Sequence, residues 1–319
     1  MIEQQKITNT AVLTPTCVNG YQGLSDTFLR AAWRAVVIGD LFDEMWSTVL
    51  AGAKDREADL KIFHDEFEAI TAVMHRRWPV IAAQLSKSAV QLNRIQLKGP
   101  YVNFPKISLI GEIYVRHDPI SLQNLIESLA DRGIIVRTAT INEWVKYTDW
   151  LIQQGIEGQR TMGTALRGQV KKYFDYAIRK RLAPSGLFFY EGRAPVEPII
   201  ESGEKFISPY LTGEAILTVG SALHEILHPS CGVISIGPFG CMPSRVAEAV
   251  LSEKFTTTEK KAMMEDKESC WQPILDKERK LPFIAIETDG NPFPQLIEAR
   301  MEAFCLQAER LNEQMLTCR

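Results

Sequence analysis

This 319-residue chain lacks closely spaced cysteines. No two of its six cysteines form a Cys-x-x-Cys pair, since they stand at Cys17, Cys231, Cys241, Cys270, Cys305 and Cys318. A zinc ribbon or a ferredoxin-type cluster needs ligands at such close local spacing. The scatter therefore excludes both kinds of site, but it leaves open a cluster whose ligands come from separate strand ends.

Long apolar runs, a leader pattern and an excess of basic charge are also missing. No uninterrupted apolar run approaches the roughly 18 residues of a membrane span, and the first residues do not show the basic, apolar and cleavage-site pattern of a signal peptide. The formal net charge of -3 gives no sign of nucleic-acid or anionic-membrane binding. We therefore expect a cytoplasmic protein, whose cysteines are thiols, metal ligands or core packing rather than disulfides.

Apolar periodicity predicts an α/β protein with a helical N-terminal third, residues 1–104, followed by a doubly wound, mainly parallel Rossmann-like domain, residues 105–319. Ser25 is a predicted N-cap at the start of the helical region. Asp118-Pro119 has the pattern of another helix start, and Gly133 that of a helix end. Short apolar segments predict strands over 107–111, 134–136, 232–236 and 283–288. The first two enclose a helix, so they form a βαβ unit with a right-handed crossover.

Cys241 is the strongest single candidate for a functional residue. The segment Phe239-Gly-Cys-Met-Pro243 places its thiol between a glycine that lets the backbone bend and a proline that starts a helix. A thiolate at a helix N-terminus is stabilised by the free N–H groups, which suits metal ligation. A buried, inert cysteine is the alternative interpretation. Cys231 begins the same strand, so we expect it at the opposite end of the sheet, where packing explains it better.

Polar residues also follow the first and last predicted strands. Glu112 lies directly after strand 107–111, and Asp289 directly after strand 283–288. Carboxylates at the carboxyl edge of a parallel sheet are well placed for acid/base chemistry. We therefore predict that Glu112, Asp289 and Cys241 share one edge, and name the two carboxylates as candidate catalytic residues. Turn capping is the competing explanation for both.

The segment His224-Glu225-Ile-Leu-His228 offers a rival site. Two histidines four residues apart on one helical face, with a glutamate beside the first, form the zincin pattern. Zinc would bind both imidazoles, and Glu225 would act as general base on the bound water. However, Pro229 disfavours helical geometry at His228, and the sequence pattern offers no third ligand. We therefore predict that these histidines do not form a catalytic zinc site.

Several segments in order resemble the iron–sulfur component of the 2-hydroxyacyl-CoA dehydratases and the CoA-activase-associated proteins related to it. The resemblance covers roughly residues 105–310. The matching segments are Gly-Glu-Ile-Tyr-Val-Arg at 111–116, Glu143-Trp144 with Tyr147, Gly-Glu-Ala-Ile-Leu-Thr-Val-Gly at 213–220, Gly-Pro-Phe-Gly-Cys-Met-Pro at 237–243, Asp289-Gly290 and Arg-Met-Glu-Ala-Phe at 300–304.

The resemblance implies a 4Fe-4S cluster held by cysteines from different segments, and Cys241 matches the ligand cysteine of the C-terminal half. It also implies an ATP-hydrolysing activase that delivers low-potential electrons, and an acyl-CoA substrate. The family's Cys-Pro-Phe-Lys-like and Gly-x-Cys-Arg-like segments do not occur here. We therefore expect this chain to complete its cluster site with a cluster-bearing partner subunit. A zinc-dependent hydrolase and a non-catalytic scaffold subunit of the same system are the alternatives.

Overall fold

A computed structural model describes residues 24–158, 161–192, 194–264, 271–277, 279–291 and 295–318. Cys17 and Cys270 lie outside these residues. In this part of the chain the strands are β1 (Lys106–Gly111), β2 (Ile135–Thr138), β3 (Gly232–Pro238) and β4 (Phe283–Thr288). The helices are α1 (Asp26–Gly52), α2 (Arg56–Thr71), α3 (Trp78–Leu92), α4 (Pro119–Leu122), α5 (Leu125–Asp131), α6 (Ile141–Gln154), α7 (Met162–Leu182), α8 (Glu197–Glu204), α9 (Ala215–Glu225), α10 (Met242–Lys254), α11 (Thr257–Met263), α12 (Gln272–Leu275) and α13 (Gln295–Thr317).

The four strands form one parallel sheet in the order β2-β1-β3-β4. The chain enters the sheet at β1, crosses to β2 at one edge, and returns to β3 on the other side of β1. Right-handed crossovers in opposite directions place the connecting helices on opposite faces of the sheet. The predicted α/β class, with a helical N-terminal region before a parallel sheet, is confirmed.

Helix starts agree with the predicted caps. The Ser25 hydroxyl accepts a hydrogen bond from the Phe28 N–H at 3.1 Å, and Asp118 accepts one from the Ser121 N–H at 2.9 Å. The single helix expected between β1 and β2 is instead two, because Gln123 and Asn124 adopt left-handed conformations between α4 and α5. Asparagine tolerates that conformation better than most residues. The break therefore falls at two polar residues, while the apolar face on either side stays buried.

Helix α1 belongs to two hydrophobic clusters. Its C-terminal residues Leu50 and Ala51 join the cluster around the sheet. Most of its buried residues join a second cluster with α2, α3 and the end of α7. The Ser47 hydroxyl also accepts a hydrogen bond from the Val136 N–H of β2 at 2.7 Å. Helix α1 therefore fixes the helical layer against the sheet at β2.

None of the helices in the described residues combines the length and the apolarity that a membrane span requires.

Candidate functional site

The carboxyl ends of β1 and β3 define a crevice where the strand order reverses. In doubly wound sheets, ligands bind at such a topological switch point. Glu112 follows β1, Cys241 follows β3 by three residues, and Asp289 follows β4. Because these three strands are parallel and paired in register, all three residues lie at the same edge of the sheet.

A close backbone approach holds the crevice together. Gly111 has φ +113°, and a Cβ atom built on it would lie 2.0 Å from the Ile236 carbonyl oxygen. The next residue, Glu112, donates its backbone N–H to the same oxygen at 2.9 Å. Only glycine combines this φ with so close a neighbour. The turn after β1 is therefore fastened to β3 just before Cys241.

Cys241 is the N-cap residue of α10. Its backbone N–H donates to the Pro238 carbonyl at 3.1 Å. Its side chain is half-buried, and it makes no capping hydrogen bond. Pro243 lies in the first turn of the helix, where a missing N–H costs little. The thiol is thus left available at a helix N-terminus, in the position that the sequence predicted.

Cys231 and Cys305 are buried and do not share the exposed edge with Cys241. Cys231 lies at the opposite edge, fully buried, with its thiol donating to the Lys106 carbonyl at 3.2 Å. Burial raises the pKa of Cys231 to about 12 and that of Cys305 to about 11. Within the described residues, no three histidine, cysteine or acidic side chains are grouped to hold a metal.

Glu112 lies at the crevice, which Glu143 and Glu214 line. Its Oε2 caps the turn after β1 by accepting from the Val115 N–H at 2.8 Å. Glu214, just before α9, accepts from the Ile113 N–H at 3.3 Å. Desolvation, and then the nearby Glu112 charge, raise the pKa of Glu214. Glu112 therefore both caps a turn and disfavours ionisation of its neighbour.

Arg116 stabilises the turn after β1 through hydrogen bonds to the backbone. It is buried and donates to three backbone carbonyls, at 2.8 Å to Ala139, at 3.3 Å to Thr140, and also to Gly111. These bonds tie the end of β1 to the segment after β2. Glu214 was not predicted as a site residue, although it stands in a segment that carries the family resemblance. Side chains that act through such long-range contacts leave no local periodic signal.

Asp289 is engaged in its own turn. It accepts from the Asn291 backbone N–H at 3.0 Å and from the Asn291 side chain at 2.9 Å, and these two bonds lower its pKa. Glu287, at the end of β4, reaches further toward Cys241. It accepts from the Gly240 N–H at 3.3 Å and pairs with Arg245 at 2.8 Å. Glu287 therefore orders the cysteine-bearing turn, while Asp289 orders the loop after β4.

The histidine motif does not lie on one helix. Helix α9 ends at Glu225, Ile226 is extended, and Leu227 is left-handed with φ +69°. Both zincin histidines must face one side of a continuous helix, so this backbone does not match the zincin geometry. Glu225 accepts from the Ser108 hydroxyl, and its Oε2 lies 3.3 Å from Arg137 Nη1. Its observed partners are thus those of a structural ion pair.

Large apolar side chains are exposed around the crevice, each between 67% and 77% accessible. We call them the apolar rim: Tyr114, Tyr210, Leu211, Phe239 and Met242. The Ile113–Glu214 hydrogen bond joins the turn after β1 to the turn before α9. Gly213 in turn lies against Pro243 of α10. Exposed apolar patches of this kind mark interaction surfaces.

Comparisons with protein-family models, with curated proteins and with solved structures found no match to this chain.

Proposed function

We propose that this chain is an iron–sulfur part-subunit of an ATP-dependent 2-hydroxyacyl-CoA dehydratase/reductase-like system. Cys241 supplies one ligand of a 4Fe-4S cluster, and a partner subunit supplies the others. The observation that carries the proposal is the place of Cys241, a half-buried thiol at a helix N-terminus beside the topological switch point. The sequence resemblance supports the same residue.

The need for a partner follows from the number of ligands. A cubane cluster is held by four ligands, usually cysteine thiolates. Cys231 is buried at the far edge, and Cys305 is buried in α13. Neither of these two thiols is placed to join Cys241, which supports a partner subunit as the source of the missing ligands.

The apolar rim is the surface on which the partner would dock. Phe239 and Met242 flank the cysteine, so a subunit that approaches Cys241 covers both side chains. Aromatic residues and methionine are enriched in the buried cores of interfaces. Covering the rim would also exclude water from the cluster, which a low-potential redox centre benefits from.

Glu112 and Asp289, with Glu214 added by the structure, are the acid/base candidates in this proposal. Because its pKa is raised, Glu214 keeps a proton more readily than an ordinary carboxyl group. It is therefore suited to protonate a leaving hydroxyl of an acyl-CoA substrate. Asp289 is the other catalytic candidate, and its carboxylate also accepts two hydrogen bonds within the loop after β4. An activase ATPase would deliver the electrons, as the resemblance implies.

Anaerobic co-expression with the products of neighbouring genes tests the proposal. We expect a brown complex with about four irons and four sulfides per cluster, measured by metal and sulfide analysis. Cys241→Ala should remove the iron, while the matched variant Cys318→Ala, another half-buried cysteine, should retain it. Iron that survives Cys241→Ala overturns the proposal. A stable complex without iron favours the scaffold alternative.

A further inference from the structure

Helix α7 projects from the molecule along its first three turns, on a part of the surface that the proposed iron–sulfur role does not use. Nine of the twelve residues from 162 to 173 are exposed. The helix is held by its second half, where Asp175, Ile178 and Leu182 are buried. The projecting half therefore needs an explanation other than packing within this chain.

Apolar side chains lie along the exposed side of this projection. Met162 is 93% accessible, Leu166 67%, Tyr173 59% and Val170 40%. They recur at intervals of four, four and three residues, so they share one side of the helix over about 16 Å. We call these four residues the α7 stripe. Exposed apolar side chains that polar groups border mark protein or membrane interaction sites.

Arginines border the stripe along one flank of α7. Arg167 and Arg181 stand seven residues before and after Phe174, so these three residues form a row along the helix. Two more arginines come from neighbouring helices, Arg34 in α1 and Arg77 at the N-cap of α3. Within the described residues, none of the four arginines is ion-paired with an acidic side chain.

Aromatic rings hold two of these guanidinium groups in place. The Arg34 Cζ lies 5.8 Å from the centroid of the Phe174 ring, and the Arg181 Cζ lies 5.2 Å from that of Trp78. The Phe174 and Trp78 rings are in edge contact, with centroids 4.8 Å apart. A cation that stacks on a ring is already ordered, so it loses less entropy when it binds an anion.

Helix α7 contains one acidic residue and six basic ones. The acid is Asp175, whose carboxylate is 5% exposed and is paired with Lys146 and Arg179. Two other bases of α7 are paired with acids of α6 and α8, and the remaining three have no acidic partner in the part of the chain that the structure describes. The exposed side of α7 therefore carries positive charge, which the net charge of -3 for the whole chain conceals.

We propose that α7 and the adjoining arginines bind the surface of an anionic membrane, with the α7 stripe inserted among the lipids and the guanidinium groups on the headgroup phosphates. Helices that lie in the plane of a membrane surface combine an apolar side with flanking Lys and Arg. Guanidinium groups match phosphate oxygens, and Trp and Tyr favour the headgroup level. The stripe thus supplies apolar contact, and its flank supplies the charge complementarity.

The composition of the stripe distinguishes a lipid surface from other anionic partners. A single-stranded nucleic acid stacks its bases on exposed aromatic rings, whereas Met162 and Leu166, the two most exposed members of the stripe, are not aromatic. A protein interface requires shape complementarity, whereas a fluid bilayer accepts a projecting helix without it. A membrane surface is therefore the partner that these side chains fit best.

Co-sedimentation of the full chain with lipid vesicles tests the inference. We expect binding to vesicles of phosphatidylglycerol and phosphatidylcholine in equal amounts, and no binding to phosphatidylcholine alone. High salt should weaken the binding, because it screens the arginines. Arg167→Gln should lower the partition coefficient about fivefold. Leu166→Ser should lower it about fivefold or more, since it removes apolar surface from the inserted stripe.

Arg310→Gln and Phe239→Ser are the matched controls. Arg310 is an exposed arginine on α13, and Phe239 belongs to the apolar rim beside Cys241, so both variants should keep the original partition coefficient. All four substituted side chains are exposed, so thermal unfolding should not change in any variant.

Three results would overturn the inference. If the chain does not bind anionic vesicles at low salt, the partner of α7 is an acidic protein instead of a membrane. If all four variants partition equally, lipid binds elsewhere on the molecule. If a single-stranded oligothymidylate binds more tightly than the vesicles and displaces them, the surface recognises nucleic acid.

Discussion

The indole N–H of Trp33 donates to the side-chain carbonyl of Asn142 across a distance of 3.1 Å. This bond joins α1 to the start of α6, and the two residues are 109 positions apart in the sequence. Asn142 is fully buried, and its amide donates in turn to Asp175 on α7 at 3.1 Å. One asparagine therefore links three helices through both ends of its amide.

Asn142→Ala should lower the free energy of unfolding by about 2 kcal/mol. The substitution leaves the Trp33 indole without its acceptor and the buried Asp175 without one donor, and each such loss costs on the order of 1 kcal/mol or more. Urea unfolding measures the change. Asn93→Ala, at the exposed end of α3, is the control and should change stability by less than about 0.5 kcal/mol. Equal effects of the two variants would contradict the linking role.

Gly111→Ala should destabilise the protein by more than about 3 kcal/mol, because it adds backbone strain and a clash with Ile236. The control is Gly290→Ala. Gly290 also has positive φ, at +86°, but a Cβ there would meet nothing within 4 Å. We expect it to cost only about 1 kcal/mol. If both alanine variants lose the same free energy of unfolding, the positive φ alone accounts for the effect at Gly111, and the close approach of β1 to β3 does not contribute.

The sheet could be predicted from sequence because each strand is a short buried apolar run beside a glycine or proline. The observed β3 and β4 contain the predicted segments 232–236 and 283–288. The helical pattern was less complete. Helix α6 was not predicted, since its apolar face is interrupted by the buried polar residues Asn142 and Glu143. Those residues form hydrogen bonds with side chains that are far away in the sequence. Local periodicity cannot predict such bonds.

The candidate site divides in the same way. The edge shared by Cys241, Glu112 and Asp289 follows from strand direction alone, so the sequence sufficed. The sequence pattern misleads at the histidine motif. Helix α9 ends at Glu225, so His224 lies on the helix and His228 lies beyond it. The ion pair between Glu225 and Arg137 was not predicted at all. The two residues come from separate elements, and only the tertiary fold brings them together.

The raised pKa of Glu143 predicts that the free energy of unfolding falls as pH rises. Burial raises its folded pKa to about 7, above the unfolded value of about 4.3 for glutamate, so the folded state holds its proton more tightly. The resulting stabilisation is complete below about pH 4 and is lost as pH rises through about 7. The loss amounts to about 4 kcal/mol on this shift. Urea unfolding between pH 4 and 8 measures it.

Glu143→Gln should flatten that pH profile, since glutamine does not titrate. A residual slope should remain between about pH 4 and 6 because burial also raises the pKa of Asp40 to about 6. Glu68→Gln, at an exposed position on α2, should keep the original profile. A profile that is equally steep in Glu143→Gln would assign the effect to other groups.

Phe239→Ser should leave the isolated chain intact and weaken the proposed complex with a cluster-bearing partner subunit. The side chain is 76% exposed, so its removal should change the free energy of unfolding by less than about 0.5 kcal/mol. An aromatic residue buried at the centre of an interface contributes about 2 kcal/mol or more to binding. We therefore expect the dissociation constant to rise about thirtyfold or more, as measured by calorimetry or co-purification yield.

Leu166→Ser provides the matched control for that measurement. Leu166 lies on α7 and is 67% exposed, so it loses a comparable apolar surface away from Cys241. A partner that contacts the apolar rim should discriminate between the two variants, and one that binds elsewhere should not. If Leu166→Ser weakens the complex while Phe239→Ser does not, the partner docks on α7. Cys241 would then remain open to water in the complex, and it would not serve as a ligand of a shared cluster.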